Sequence, residues 1–267
     1  MSIHENMAAS EYHAATGQYL TSSLLRAFLK SPRYFRDVVD GIASSSESEA
    51  MNFGTAFHAL ILEPEQFQAR YAIKPNYIDL RTKEGKEWKA GAGDKEALSV
   101  QDHERMVLMA ARMPDEISRI LQWPDNRFEV TVRNKLGGFD AQARIDCWSD
   151  RMVVDIKTIN SIERIEKAVW QMSYATQMRF YQRVIEAETG SAPAARLAFA
   201  ETCSPYRWKL VEFDFEYIHK SDADIDTALA GLKHRTETCD WSDPAEICEM
   251  VSVPPWARDK EEARSTE

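Results

Sequence analysis

The stretch from Gly138 to Thr158, GFDAQARIDCWSDRMVVDIKT, constrains the fold more than any other part of the chain. Two runs of alternating character flank the polar pair Ser149-Asp150, which is the pattern of a β-hairpin. In the first run Phe139, Ala141, Ala143, Ile145 and Cys147 share one face, and Asp140, Gln142, Arg144, Asp146 and Trp148 share the other. In the second, Met152, Val154 and Ile156 oppose Val153, Asp155 and Lys157. With Ser149-Asp150 as a two-residue turn, Asp146 is expected opposite Val153, and Arg144 opposite Asp155. The two aspartates then become diagonal neighbours roughly 7–8 Å apart at Cα. One small cation could touch both, and Lys157 points the same way.

Charges on the exposed face of an antiparallel pair are ordinary, so Arg144 and Lys157 could simply neutralise the acids in solvent. The apolar run Met152-Val153-Val154 argues against that, because it implies a strand buried on both faces. An acid at the end of such a strand is costly unless it is paired or metal-bound.

ARIDCW followed by VVDIKT resembles the D…(D/E)xK core of the PD-(D/E)xK nuclease superfamily. Met51 to Phe67, MNFGTAFHALILEPEQF, is similar to the histidine-bearing helix of the RecE-type phage exonucleases (exodeoxyribonuclease VIII). Gln177-Met-Arg-Phe-Tyr181 is similar to the Gln-x-x-x-Tyr helix motif that follows the lysine in that branch. The pieces stand in the family's order over about half the chain.

The resemblance implies an α/β fold with a PD-(D/E)xK, restriction-endonuclease-like core, in which helices bearing His58 and Gln177/Tyr181 flank a mixed central sheet. It makes Asp146, Asp155, His58 and the backbone carbonyl of Ile156 the metal ligands. Lys157 would orient or deprotonate the attacking water, with Gln177 and Tyr181 ordering the lysine, the water or the scissile phosphate. Oxygen ligands suit Mg²⁺, and an imidazole tilts the preference towards Mn²⁺, which should substitute. The implied activity is 5′-to-3′ exonuclease action on double-stranded DNA ends, leaving 3′ single-stranded overhangs for phage-type recombination. A homo-oligomeric ring and a single-strand annealing partner are implied with it. Another PD-(D/E)xK endonuclease, or a non-catalytic DNA-end or recombinase-binding module, stand as alternatives.

At 267 residues and 44% hydrophobic content the chain is long enough to bury a full core. One nuclease domain over 1–267 is expected: a helical part over 19–125, a core over 126–236 and a flexible or assembly tail over 237–267. No run of about 18 apolar residues exists and the N-terminus lacks a signal pattern, so a cytoplasmic protein of a bacterial host is expected. Cys147, Cys203, Cys239 and Cys248 show no C-x-x-C spacing, which argues against a zinc ribbon or an iron–sulfur cluster. They are expected as buried or partly buried thiols. The formal charge of −10 counts against broad DNA coating, although part of the acid load sits at 47–49 and 259–267.

In chain order, Thr21-Ser22-Ser23 is expected to cap a helix over 24–29, with Ser31-Pro32 opening the next. A mobile loop follows over 41–49. Phe53, Ala56, Phe57, Leu60 and Ile61 form a helical stripe with His58 beside it. Gly54 is expected to admit another backbone, and Glu63-Pro64 to close the helix. Lys74 to Gly93 is expected as a basic, solvated loop whose Tyr77 and Trp88 could meet DNA. Ser99 is expected to cap a helix with Met106, Val107, Ala110 and Met113 in the core and a break at Met113-Pro114. Phe128 to Val132 is expected as a strand; Glu129 could add a further acid near the metals, but the solvent-facing role is the one expected. A helix over 174–188, a hairpin pairing 195–201 with 206–213, and a helix over 215–233 complete the pattern.

Overall fold

The computed structural model describes residues 2–5, 7–43 and 49–243. Residues 44–48 of the expected loop, including Glu47, the charged stretch over 259–267, Cys248 and most of the expected tail lie outside them. Eight strands are described: β1 (Ser2–His4), β2 (Tyr71–Lys74), β3 (Glu96–Ser99), β4 (Arg127–Leu136), β5 (Phe139–Trp148), β6 (Met152–Ile159), β7 (Ala194–Glu201) and β8 (Trp208–Val211). The helices are α1 (Ala9–Ala14), α2 (Ser22–Lys30), α3 (Pro32–Val39), α4 (Glu49–Leu62), α5 (Pro64–Arg70), α6 (Lys83–Ala92), α7 (Val100–Ala111), α8 (Asp115–Leu121), α9 (Ile165–Gln171), α10 (Tyr174–Thr189) and α11 (Phe215–Thr238).

Six strands form one mixed sheet in the order β1-β4-β5-β6-β7-β8. Within this sheet only β6 and β7 run parallel, which requires a crossover; α9 and α10 supply it, while β2 and β3 form a separate parallel pair. Helices cover both faces, and each face has its own core. Phe180, Val184 and Ile185 of α10 join Leu25, Phe28 and Ile225 against Val153, Leu197 and Phe199. On the other side Phe53, Ala56 and Phe57 of α4 join Met106 and Met109 of α7 against Val154, Ile156, Ala198 and Trp208. Fully burying one such phenylalanine is worth about 1.5–3 kcal/mol. These two cores fix α4 and α10 on opposite sides of β6.

The local signals work as hydrogen bonds. Thr21 Oγ1 accepts from Leu24 N at 3.1 Å, Ser31 Oγ from Tyr34 N at 3.0 Å and Ser99 Oγ from Asp102 N at 3.0 Å. Each satisfies one of the orphan amides of a first turn.

Several expectations need correction. The central turn is Asp150-Arg151, since Ser149 N donates to Met152 O at 2.9 Å and Met152 N to Ser149 Oγ at 3.2 Å. Moving a hairpin turn by one residue moves the register by two, and Trp148 pairs with Val153 and Cys147 with Val154. Continued one step, that register sets Asp146 directly opposite Asp155 rather than diagonal to it. Alternation along β5 also fails to carry through Asp146. Ala141, Ala143 and Ile145 pack into the first core, whereas Cys147 packs into the second.

Of the expected loop over 74–93, residues 75–82 form turns, but Lys83–Ala92 is the helix α6. Thr82 caps α6 through Gly85 N at 3.1 Å, and a Cβ on Gly85 would lie 2.0 Å from the Asp79 carbonyl. That glycine lets the helix start against its own entry turn. Val107 is 46% exposed, and Met109 takes the core place expected of it. Gly54 faces the Thr158 hydroxyl, 3.4 Å from where a Cβ would stand, rather than a backbone. The last helix runs on to Thr238. Cys203 and Cys239 are exposed, and only Cys147 among the described cysteines is buried. The N-terminal edge strand β1, paired with β4, has no sequence signal strong enough to foresee at three residues.

Candidate active site

β4, β5 and β6 each contribute one acid at the same level of the sheet. The Gly137-Gly138 turn, with φ of 58° and 91°, pairs Leu136 with Phe139. Both central residues of such a turn need positive φ, which glycine adopts without strain. Counting back in this register sets Glu129 opposite Asp146. Bridges run on both sides of that pair, Phe128 to Cys147 and Val130 to Ile145, but not through it, and Glu129 itself has φ 51°. The β5–β6 ladder likewise stops at Cys147 and Val154. Beyond it the Asp146 carboxylate accepts the Ile156 backbone N–H at 2.8 Å, replacing the strand partner that the amide loses. A cleft opens where the strands part.

His58 reaches this cleft from α4, its Nδ1 3.4 Å from Asp146 Oδ2. Burial first, and then the Lys157 charge, lower the His58 pKa, so the imidazole is neutral and keeps a lone pair for a ligand. The Ile156 backbone carbonyl acts on the same ring in the opposite sense. Lys157 Nζ lies 2.5 Å from Asp155 Oδ2 and 5.3 Å from the centre of the Tyr174 ring. Burial works against the ammonium, but Asp155 and then Asp146 outweigh it and raise the Lys157 pKa. Lys157 is therefore a fixed positive charge.

From α10, Gln177 Nε2 donates to Tyr181 Oη at 2.7 Å and lies 3.4 Å from Asp155 Oδ1. The four-residue spacing puts both side chains on one helix face. Burial, with Asp155 next in effect, raises the Tyr181 pKa well above the usual phenol value. The hydroxyl stays neutral and can donate.

Asp146 sits at the centre. Burial first, then Asp155 and Glu129, push its carboxyl far above the ordinary aspartate range. Three carboxylates and one imidazole thus crowd a water-poor cleft, a donor set of oxygen with one nitrogen that a divalent cation satisfies. Ligand atoms of His58, Glu129 and Asp146 all lie within 4.8 Å of one another. The residues present fit such an ion.

The structure thus brings together His58, Asp146, Asp155, Ile156, Lys157, Gln177 and Tyr181. It corrects Glu129, which turns inward rather than to solvent. The signal for that residue was present in the sequence: a Gly-Gly hairpin turn fixes the register that aligns it with Asp146. Arg144, expected opposite Asp155, bonds Glu129 instead, and the Met7 carbonyl that it also reaches carried no comparable signal.

A β-hairpin presenting D…DxK at a split in a mixed sheet, with helices on both faces, defines the PD-(D/E)xK nuclease class. The chain belongs to the family of the PDDEXK-like domain of unknown function (DUF3799), whose model matches residues 21–254. The fold is shared with a crystal structure from Eubacterium rectale described as a "Putative exonuclease", at 14% identity and a TM-score of 0.67 over 93% of this chain and 96% of that one. LHK-Exo in complex with dAMP aligns at 16% identity and a TM-score of 0.42 over 87% and 96% of the two chains. The alkaline exonuclease LHK-Exo from Laribacter hongkongensis aligns at 16% and 0.36 over 86% and 96%. No curated protein matches this chain.

Proposed function

We propose that this protein is a divalent-metal-dependent exonuclease of the RecE type. It degrades double-stranded DNA from its ends in the 5′-to-3′ direction and leaves 3′ single-stranded overhangs for phage-type recombination. One observation carries the reading: Glu129, Asp146, Asp155 and His58 converge with the Lys157 ammonium in a single cleft. The exonuclease description of the Eubacterium rectale protein, which shares the fold, supports the same reading.

Asp146, Asp155, His58 and the Ile156 carbonyl are the proposed ligands, with Glu129 added. Mg²⁺ suits this set, and Mn²⁺ should replace it. The ion, when bound, supplies charge to the scissile phosphate and acidifies the attacking water. Lys157 directs a fixed positive charge into the cleft, where the phosphorane charge develops. Gln177 holds the Tyr181 hydroxyl and leans on Asp155, which keeps the carboxylate and the Lys157 bound to it in place. In this reading the protein acts as a homo-oligomeric ring in the cytoplasm of a bacterial host and passes its product to a single-strand annealing protein. No helix among the described residues is long and apolar enough to cross a membrane.

The test is digestion of a linear duplex labelled at its 5′ or 3′ ends, in Mg²⁺, Mn²⁺ or EDTA, beside closed circles. Metal-dependent loss from 5′ ends with circles spared supports the proposal. Nicked circles would replace it with an endonuclease, and inertness under all conditions with a DNA-end binding module.

A further inference from the structure

The three carboxylates of the cleft are not equivalent. Asp155, on one flank, is held by Lys157. Glu129, on the other, is held by Arg144, whose Nε donates to Glu129 Oε2 at 2.7 Å. Among the described residues, only Asp146, between them, has no ion pair with a lysine or arginine; the neutral His58 imidazole stands beside it. Arg144 has a second anchor: its Nη1 donates to the Met7 carbonyl at 2.8 Å. The segment carrying Met7 is itself tied down. β1 pairs with β4, Gln142 Nε2 donates to the Tyr12 carbonyl at 3.0 Å, and Leu20 N donates to Asp140 O at 2.7 Å.

Arg144 and Glu129 are largely buried, with 18% and 15% of their side chains exposed. Glu129 stands at φ 51°, a conformation that strains a non-glycine residue and persists only where the surroundings impose it. A flexible Glu side chain in a gap between strands would otherwise sample several rotamers. The guanidinium takes Oε2 and leaves the other carboxylate oxygen without that bond. An orienting partner on one oxygen of a ligating carboxylate is the usual second layer of a metal site.

We propose that Arg144 is a positioning residue of the ion site: braced on the Met7 carbonyl, it holds Glu129 beside Asp146 and His58 so that the cleft binds a divalent cation. This rests on the reading of the cleft as a divalent-ion site. It makes the N-terminal segment part of the site's support.

Direct Mn²⁺ titration of the full chain, without DNA, tests it. Wild type is compared with Arg144→Met, Arg144→Lys, Glu129→Gln and the double variant Arg144→Met/Glu129→Gln, with thermal unfolding in EDTA as a check of folding. Arg144→Met should weaken Mn²⁺ binding about 10–100-fold, and Arg144→Lys should recover part of it. The double variant should bind no more weakly than Glu129→Gln alone, because Arg144 acts through Glu129. Unchanged or tighter binding by Arg144→Met would overturn the proposal, since Arg144 would then be only a competing counter-charge. Additive losses in the double variant, or wild type that takes no Mn²⁺, would overturn it too. Should Arg144→Met fail to fold, loss of Mn²⁺ affinity in the folded Arg144→Lys carries the proposal, and unchanged affinity there overturns it. Wild type that binds Mn²⁺ yet digests no DNA would remove the nuclease reading and leave Arg144 decided by the titration.

Discussion

Replacing Asp146 by Asn should make the metal-free protein more stable, although it destroys the centre of the site. Burial and two neighbouring carboxylates raise the pKa of Asp146 in the folded state, whereas in the unfolded chain it titrates near about 3.9. An acid raised by folding favours the fold while it holds its proton, and that advantage is lost as pH rises through the folded value. Between the two values the slope for one proton is at most about 1.4 kcal/mol per pH unit. His58 runs the other way: its folded pKa is lowered, so its contribution is present above about pH 6.5 and lost as pH falls below it. The two partly cancel in wild type, so the difference between wild type and Asp146→Asn is what isolates the aspartate. Asn keeps an oxygen for the Ile156 N–H, bonded at 2.8 Å in the native protein, and carries no charge. Thermal unfolding in EDTA should therefore show equal Tm values near pH 4 and a growing advantage for the variant as pH rises. At this chain length each kcal/mol corresponds to about 2–4 °C. Saturating Mn²⁺ should reverse the order, since a ligand at 100 times its Kd stabilises by about 2.7 kcal/mol. A Tm difference that does not depend on pH, or a wild type more stable than the variant in EDTA at pH 8, would refute this account of the cleft.

Lys157→Met should lower the single-turnover rate of duplex digestion about 10²–10³-fold, as expected on removing a preorganised charge, with Mn²⁺ binding intact or tighter in a direct titration. Gln177→Leu strips the Tyr181 hydroxyl of its 2.7 Å donor; a loss of about 1–3 kcal/mol should appear in urea unfolding, and digestion should slow with it. Gly137→Ala forces φ 58° on an L-residue and brings a Cβ to 2.8 Å from Leu229 Cδ1. It should cost about 1–3 kcal/mol by urea unfolding and disturb the register that sets Glu129 opposite Asp146. Phe57→Ala empties a fully buried position under α4 and should lower stability by about 3–5 kcal/mol, with Mn²⁺ affinity falling as His58 loses its support.

The sequence by itself determined the class. Alternation in 139–148 and 152–157 gives strands, hydroxyl residues before apolar runs give caps, and the D…DxK order with a helical histidine and a Gln-x-x-x-Tyr pair gives the nuclease core. All of these are local in sequence, where side-chain period and first-turn hydrogen bonds act over a few residues. The basic stretch over 74–93 misled because a helix with two glycines and many lysines has weak intrinsic propensity; its start depends on Thr82 and on Gly85 fitting against Asp79. The turn between β5 and β6 misled because Ser149 serves as a hydrogen-bonding closer of the turn rather than as one of its central residues.

What only the tertiary structure decided is which charges meet. Glu129 precedes Asp146 by seventeen residues in the chain, and Met7 precedes Arg144 by 137. Their meeting depends on strand register, on the interruption of both ladders at Asp146, and on the path of the N-terminal segment over β5. Hydrogen-bond register and burial are collective: each is set by the whole sheet and its two cores, so no window of sequence contains them. The pKa of Asp146 follows from the same cause, since it measures how many acids and how little water the assembled fold leaves around one carboxylate.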